Sequence, residues 1–239
     1  MPLESTYSEY RSMTQVLQPS LIETMKADAA GRIAMLPDHL LRLKQSAQAL
    51  GYAYPGDEAV VATIHSVLSA SASANNIAAK RVRLLLSPFG QLDIQTAPLP
   101  ALQGIPFIAL TSLRLESTEP LLQHKTTHRP WYEAATEWLT QHPDFFDLIF
   151  LNEKGELCEG SRSNIYVFKN EKWLTPPLSS GLLGGVLRTQ LLQSGQAKEA
   201  ILTPSDLNTG KAQIRLSNAL RGWFDVALNG SLLPGRLLP

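Results

Sequence analysis

The sequence predicts an α+β protein built as two domains, and three observations carry that expectation. The chain has 239 residues and 44% apolar content, enough for one large domain or for two small ones, each with its own core. Its strand-like and helix-like segments are interleaved without a regular βαβα order, which argues against a doubly wound parallel sheet. A polar segment, Glu116–Gln123, separates two such mixtures and reads as an interdomain linker. It leaves an N-terminal α+β domain over residues 1–115 and a C-terminal domain over 124–239.

The elements follow in order. Leu21–Lys26 is apolar and tolerates a strand, and Asp28-Ala29-Ala30-Gly31 then reads as a hairpin turn. Pro37-Asp38-His39-Leu40 opens a helix to about Leu50, with Leu40, Leu43 and Ala47 on one face and Gly51 as its stop. A second helix is expected from Asp57 to about Ser71, with Val60, Ile64, Val67 and Leu68 inward. Strand-like runs cover Lys80–Ser87, Gln91–Ala97 and Pro106–Leu115. Past the linker come a helix over Pro130–Thr140 and strands over Phe146–Asn152, Leu157–Phe168 and Lys172–Thr175. A helix over Leu183–Gln193 is entered through a glycine-rich turn, and short strands at Ala200–Thr203, Gln213–Ser217 and Trp223–Leu228 complete the chain. The polar stretch Met1–Gln18 is expected either to lack order or to lie over a site entrance.

Composition narrows the function classes. Lys+Arg and Asp+Glu balance at 21 each without basic runs, a poor match to a nucleic-acid backbone. An anionic ligand must then be held by a few placed groups. No apolar run is long enough for a bilayer, and Met1–Ser20 is too polar for a signal peptide. Cys158 is the sole cysteine, so no intramolecular disulfide can form, and a reducing, cytoplasmic setting fits. His124 and His128 are spaced like a metal pair but lack a third ligand, so no metal is expected.

Four segments could carry chemistry, and each has a plainer reading. Gly181-Leu182-Leu183-Gly184-Gly185-Val186-Leu187-Arg188 could turn backbone N–H groups and a helix start toward a phosphate; by itself it is a glycine turn before a helix. It is not a P-loop, since no Gly-Lys-Ser/Thr follows. Glu159-Gly160-Ser161-Arg162-Ser163-Asn164 places a carboxylate in strand-like sequence, where a buried charge needs a partner and an exposed one needs none. Strand alternation would put Glu159 and Asn164 on opposite faces unless a bulge at Gly160 intervenes. Lys125 follows the linker, where partial burial would make a lysine a Schiff-base former, though most lysines are surface charges. Arg42 interrupts the apolar face of the first helix and could either grip an anion or snorkel to water.

Order and spacing together say more than each segment. Glu159, Ser161, Asn164, Ile165, Tyr166, Thr175, Leu183, Gly185, Val186 and Arg188 resemble the class IV aminotransferase signature, with Trp173 standing where an aliphatic residue or Phe is usual. His124-Lys125-Thr126-Thr127-x-Arg129 resembles the catalytic-lysine segment of that family, especially of aminodeoxychorismate lyases. Leu21–Met25 and His39-x-x-Arg42-Leu43 resemble its first strand and phosphate-binding helix, and Ser217-Asn218-Ala219-Leu220-Arg221-Gly222 the lyase subgroup's closing loop.

This resemblance implies a fold-type IV enzyme dependent on pyridoxal 5'-phosphate (PLP), similar to D-amino-acid aminotransferase, with the cofactor in an interdomain cleft. It implies that Lys125 bonds PLP as a Schiff base and that Glu159 faces the pyridine nitrogen. Arg42 and the N–H groups of Val186 and Leu187 beside Gly185 would hold the phosphate, Ser217 or Asn218 would add a contact, and Asn164 would shape hydrogen bonds near the ring. Thr24 would aid proton handling, and Arg129, Arg162 and Arg221 are candidates for the substrate carboxylates. The reaction implied is conversion of 4-amino-4-deoxychorismate to 4-aminobenzoate and pyruvate, a step of folate biosynthesis. The alternatives are a class IV aminotransferase for D-amino or branched-chain amino acids and a non-catalytic PLP-fold binding protein. A homodimer is implied as well, with neither nucleic acid nor membrane as a partner.

Overall fold

The computed structural model describes residues 19–71, 78–207 and 212–229. The expectation for Met1–Gln18 lies outside them. Contacts divide the chain into two units, Met1–Pro100 with His124–His128, and Ala101–Gln123 with Arg129–Pro239. Among the described residues no helix is long and apolar enough to cross a membrane.

The first unit holds β1 (Leu21–Ala27), α1 (Leu36–Leu50), α2 (Asp57–Ala70), β2 (Lys80–Leu86) and β3 (Leu92–Pro98). The strands form an antiparallel sheet in the order β1-β2-β3. Pro37 and Asp38 sit in the first turn of α1, where a missing N–H and a negative charge are both tolerated, and Gly51 ends it with φ 70°. Leu43 and Ala47 of α1 pack with Val60, Ile64 and Leu68 of α2 over Leu21, Met25, Val82, Leu84 and Leu86. The turn at Asp28–Gly31 forms, with the Gly31 N–H donating to the Asp28 carbonyl, yet no hairpin follows. The chain passes straight into α1, and β1 takes β2 as its partner. His124–His128 returns to the free side of β1. Thr126 bridges Leu21, the Ile22 N–H donates to the Lys125 carbonyl at 2.7 Å, and the Thr127 N–H donates to the Ser20 carbonyl at 2.8 Å.

The second unit holds β4 (Phe107–Leu115), α3 (Glu133–Gln141), β5 (Phe145–Asn152), β6 (Leu157–Gly160), β7 (Asn164–Lys169), β8 (Lys172–Thr175), α4 (Val186–Gln193), β9 (Ala197–Glu199), α5 (Pro204–Leu207), β10 (Ile214–Asn218) and β11 (Gly222–Leu228). The sheet order is β10-β11-β4-β5-β6-β7-β8-β9, and β10 pairs with β7 as well. That second pairing closes β10, β11, β4, β5, β6 and β7 into a barrel. Alternation then sorts the side chains. Ile108, Leu110, Ile149, Leu151, Ile165, Val167, Ile214 and Leu216 form one cluster inside. Ala109, Leu148, Phe150 and Cys158 face out beneath α3, and Tyr166 faces out with Leu191 of α4.

The domain boundaries therefore differ from those read in the sequence. Residues 101–115 belong to the second unit because β4 is a central barrel strand, parallel to both β5 and β11. Residues 124–128 belong to the first because they pair with β1. Locally, the expected strand over 157–168 breaks into β6 and β7 around a tight turn, and α4 starts at Val186 rather than Leu183. The short strand expected at 200–203 lies instead at Ala197–Glu199, where it pairs with β8.

Leu216 is fully buried inside the barrel. Leu216→Ala should cost about 3 kcal/mol through lost burial and a cavity that a closed barrel cannot collapse. Urea denaturation of the purified chain measures it.

Candidate functional site

The second unit places Glu159 by a register shift. On β5 and β6, Ile149 pairs with Gly160 but Leu151 pairs with Leu157, so one extra residue is fitted into β6. Leu157 points into the barrel, whereas Cys158 and the next residue, Glu159, both reach groups outside it. Glu159 and Asn164 are cross-strand partners, so they share that outer face. The irregularity foreseen at Gly160 thus falls between β5 and β6 and puts the two residues together.

Glu159 is 3% exposed, and its carboxylate is met by donors. The Tyr132 hydroxyl donates to Oε1 at 2.6 Å, the Leu183 N–H donates to the same oxygen at 3.0 Å, and Asn164 Nδ2 donates to Oε2 at 3.3 Å. Burial, then the negative charge of Glu159, push the Tyr132 phenol well above its usual range. The phenol therefore keeps its proton and Glu159 stays the acceptor. Burial and the Glu159 charge also push the Cys158 thiol far up, which removes it as a nucleophile.

The turn between Glu159 and Asn164 is built on Asp147, which is fully buried. Asp147 Oδ1 accepts from the Ser161 N–H at 2.8 Å and the Ser161 hydroxyl at 2.7 Å. Oδ2 accepts from the Arg162 N–H at 3.2 Å and the Ser163 hydroxyl at 2.6 Å. Burial raises the Asp147 carboxyl above its usual range despite the opposing pull of Arg162 and the two hydroxyls. A Cβ at Gly160 would collide with Asp147 Oδ2, so this position needs glycine for space.

Asn164 extends the constellation to the glycine-rich segment. Its Nδ2 also donates to the Leu183 carbonyl at 2.9 Å, and a Cβ at Gly185 would collide with its Oδ1. Gly185 caps α4 without any side-chain cap, and the first turn carries no acidic residue. The N–H groups of Val186 and Leu187 are thus those of an uncapped helix start. Ser217 is buried with its hydroxyl 2.9 Å from that of Tyr166, whose pKa burial raises to about 12. Asn218 uses its side chain to shape a turn: Oδ1 accepts from the N–H groups of Leu220 and Arg221, and Nδ2 donates to the Arg162 carbonyl.

The first unit carries Lys125, Thr24 and Arg42. Leu21 and Thr126 are direct partners, so alternation puts Lys125 on the sheet face that bears Ile22 and Thr24. The opposite, helix-covered face buries Glu23. Arg42 donates to it twice, Nε to Oε1 at 2.8 Å and Nη2 to Oε2 at 2.6 Å, while His39 Nδ1 lies 2.6 Å from Oε2. This fork fixes the orientation of the guanidinium that the resemblance assigns to the phosphate. Burial would raise the Glu23 pKa, but the Arg42 charge and the His39 and Arg42 bonds hold it at about 2.

The three candidate arginines separate. The Arg129 guanidinium lies 4.3 Å from the centre of the Tyr132 ring and donates to the Ser161 carbonyl at 3.2 Å, so it braces the turn. Arg162 and Arg221 both line one cavity at the barrel rim. Sequence reasoning missed Tyr132, Asp147 and Glu23. Glu23 alone left a usable signal, an acid at an inward position of an apolar strand.

These groups fit PLP on three counts. Glu159 is a buried carboxylate held in place for a protonated ring nitrogen. Gly185 and the uncapped start of α4 suit a phosphate, with the Ser217 hydroxyl as a further polar group of the same unit. Lys125, in the first unit, is the amine that the resemblance assigns to PLP.

The comparisons give the family. The chain matches the family described as amino-transferase class IV over residues 20–228. It is 31% identical over 210 residues, 85% of this chain and 87% of the relative, to a Schizosaccharomyces pombe protein named "Putative aminodeoxychorismate lyase". A crystal structure from Mesorhizobium loti, named "Putative amino-acid aminotransferase", superposes with TM-score 0.77 at 34% identity, covering 88% of this chain and all of that one. A Legionella pneumophila structure named "Putative 4-amino-4-deoxychorismate lyase" superposes with TM-score 0.75 at 20% identity, over 92% of this chain and 86% of that one, and so shares the fold.

Two outcomes test the geometry. Glu23 has its pKa lowered from 4.5 to about 2, so its pairing stabilises the fold fully above about pH 4.5, and that stability is lost as pH falls through 2. Glu23→Gln should cost about 3 kcal/mol at pH 7, and denaturation curves of variant and parent should converge toward pH 2. Asp147→Asn turns an amide donor toward groups that donate. The Ser161 and Arg162 amide protons should then exchange faster with solvent, roughly tenfold or more if one hydrogen bond is lost.

Proposed function

This chain belongs to the class IV aminotransferase family, and from that premise we propose that it is an aminodeoxychorismate lyase, converting 4-amino-4-deoxychorismate to 4-aminobenzoate and pyruvate. The observation that carries the choice of reaction is the similarity to the fission-yeast protein, named for a lyase, over 85% of this chain. The Ser217–Gly222 loop supports it, because Asn218 organises that loop and bonds it to the turn after Glu159.

When bound, PLP supplies an electron-withdrawing ring that stabilises negative charge on the carbon bearing the substrate nitrogen. The chain's own residues do the rest. Glu159, held by the Tyr132 and Leu183 donors, is the acceptor for the pyridine N–H. The N–H groups of Val186 and Leu187 and the Ser217 hydroxyl in the second unit would hold the phosphate, and Arg42 in the first, oriented by Glu23, is the arginine that the resemblance assigns to it. Lys125 Nζ would be the base that takes the proton from the substrate carbon, and Thr24, on the same sheet face, would assist that transfer. The C–O bond to the enol ether breaks, its electron pair leaves with the three-carbon fragment as pyruvate enolate, and the enolate takes up a proton. The six-membered ring becomes aromatic, which supplies the driving force, so the protein chiefly orients and holds charge.

A second reading has a specific observation in its favour. The Mesorhizobium loti structure is named for an amino-acid aminotransferase and is 34% identical. The same Lys125, Glu159 and Arg42 would serve an aminotransferase, with Lys125 acting as both base and acid in the proton transfer.

The PLP-loaded chain, given 4-amino-4-deoxychorismate, should release pyruvate and 4-aminobenzoate in equal amounts. Lys125→Ala should abolish that release and the visible absorbance of lysine-bound PLP. Amino-group exchange between D-alanine or L-leucine and 2-oxoglutarate, with no 4-aminobenzoate formed, would replace the lyase by the transaminase.

A further inference from the structure

A cavity of about 560 Å³ opens at one rim of the barrel, a volume typical of small-molecule sites. The strand directions explain what gathers there. β4 and β5 run parallel and both start at this rim, which brings Ile105, Phe107, Phe145 and Phe146 to it. The β6–β7 turn adds Arg162, and the β10–β11 turn adds Arg221. The lining therefore combines an apolar, aromatic wall with two guanidinium groups against one carboxylate, Asp144. Part of the Arg162 charge is offset by Asp147 beneath its turn, so the pull on an anion comes from the convergence of the two guanidinium groups, and the wall favours a ring.

The arginine-bearing turns are built rather than loose. Asp147 fixes the N–H groups of Ser161 and Arg162, and Asn218 accepts from the Arg221 N–H while donating to the Arg162 carbonyl. The Arg162 guanidinium lies 5.1 Å from the centre of the Phe146 ring, along the wall. The first turn starts from Glu159 and the second follows Ser217, so the cavity stands on the same two turns as the groups assigned to the cofactor. Arg129 takes no part in the lining.

We infer that this cavity binds a small ring-shaped carboxylate, with Arg162 and Arg221 holding the carboxylate and the Phe107, Phe145 and Phe146 wall facing the ring. The naming of that ligand as the cyclic amino acid and its aromatic product rests on the lyase reading; the cavity chemistry does not. A planar guanidinium meets a carboxylate with two parallel N–H donors, and the rings add contact area without polar cost.

The test uses the PLP-loaded full chain and 4-aminobenzoate as the probe, with affinity read by titration calorimetry. Arg162→Ala and Arg221→Ala should each weaken binding about tenfold or more, and Arg162→Lys should recover part of the loss. In turnover the same alanine variants should raise KM more than they lower kcat. Unchanged affinity and KM in both variants, with native circular dichroism, would overturn the inference. So would a changed molecular mass in light scattering with unchanged affinity, because the rim would then be a contact between copies. A wild-type chain that binds the probe through both arginines but releases no 4-aminobenzoate would sink the lyase reading and leave the cavity assignment standing. Lyase activity indifferent to both arginines would do the reverse.

Discussion

A carboxylate can be buried only where donors meet it, and much of the second unit is shaped by meeting that condition at Glu159. The condition is satisfied from three directions. Tyr132 comes from the turn before α3, the Leu183 N–H from the glycine-rich segment, and Asn164 from the adjacent strand. None of these could reach Glu159 if β6 kept regular alternation, since the side chain would then point into an apolar barrel. The extra residue in β6 is therefore a requirement of the chemistry. It lets Leu157 complete the barrel interior two positions before Glu159 faces outward.

Holding the bulge in place falls to a second buried carboxylate. Asp147 collects two backbone N–H groups and two hydroxyls from the turn after Glu159. Each is a modest interaction, but leaving any of these buried groups unpaired costs more than forming the bond gains. Glu23 plays the corresponding part in the first unit, where it is buried among apolar side chains and orients Arg42. In both units a buried anion that need not touch a ligand fixes the group that the sequence assigns to one. Such residues keep their geometry through hydrogen bonds, which tolerate little displacement.

How much of this could be read in the sequence depends on how local each signal was. α1 and α2 were legible because their apolar spacing and opening acids, and for α1 the closing Gly51, are all contained within one helix. The motif residues Glu159, Asn164 and Gly185 were legible because they lie within one short stretch and depend on one another's spacing. Asp147 was invisible, since its partners are 14 to 16 residues away and an acid in a strand pattern reads as solvent-facing. The boundary at 115 misled for a related reason. β4 looks like the last strand of the N-terminal mixture, yet its parallel pairing with β5 and β11 is non-local and leaves no trace in composition. The turn at Asp28–Gly31 shows the opposite limit, for its local chemistry was read correctly while the pairing of β1 with the distant β2 was not implied by it.

The same physics explains why the reaction is harder to read than the cofactor. In the proposed assignment Lys125, Glu159 and Arg42 would prepare a carbon for loss of a proton, and both elimination and amino-group transfer begin with that step. The fate of the resulting carbanion depends on the substrate, because only a ring poised to become aromatic has a leaving group whose departure is strongly downhill. Selection between the two chemistries must then come from groups that recognise the part of the substrate away from the reacting carbon. A recognising group of that kind has to be charged to find a carboxylate and fixed to align it. Among the arginines considered, Arg129 is spent on Tyr132 and Ser161, whereas Arg162 and Arg221 project from braced turns into a cavity with an aromatic wall. On the inference drawn above, specificity would belong to the two turns at the barrel rim, which continue the strands that carry Glu159 and Ser217 and are braced by Asp147 and Asn218.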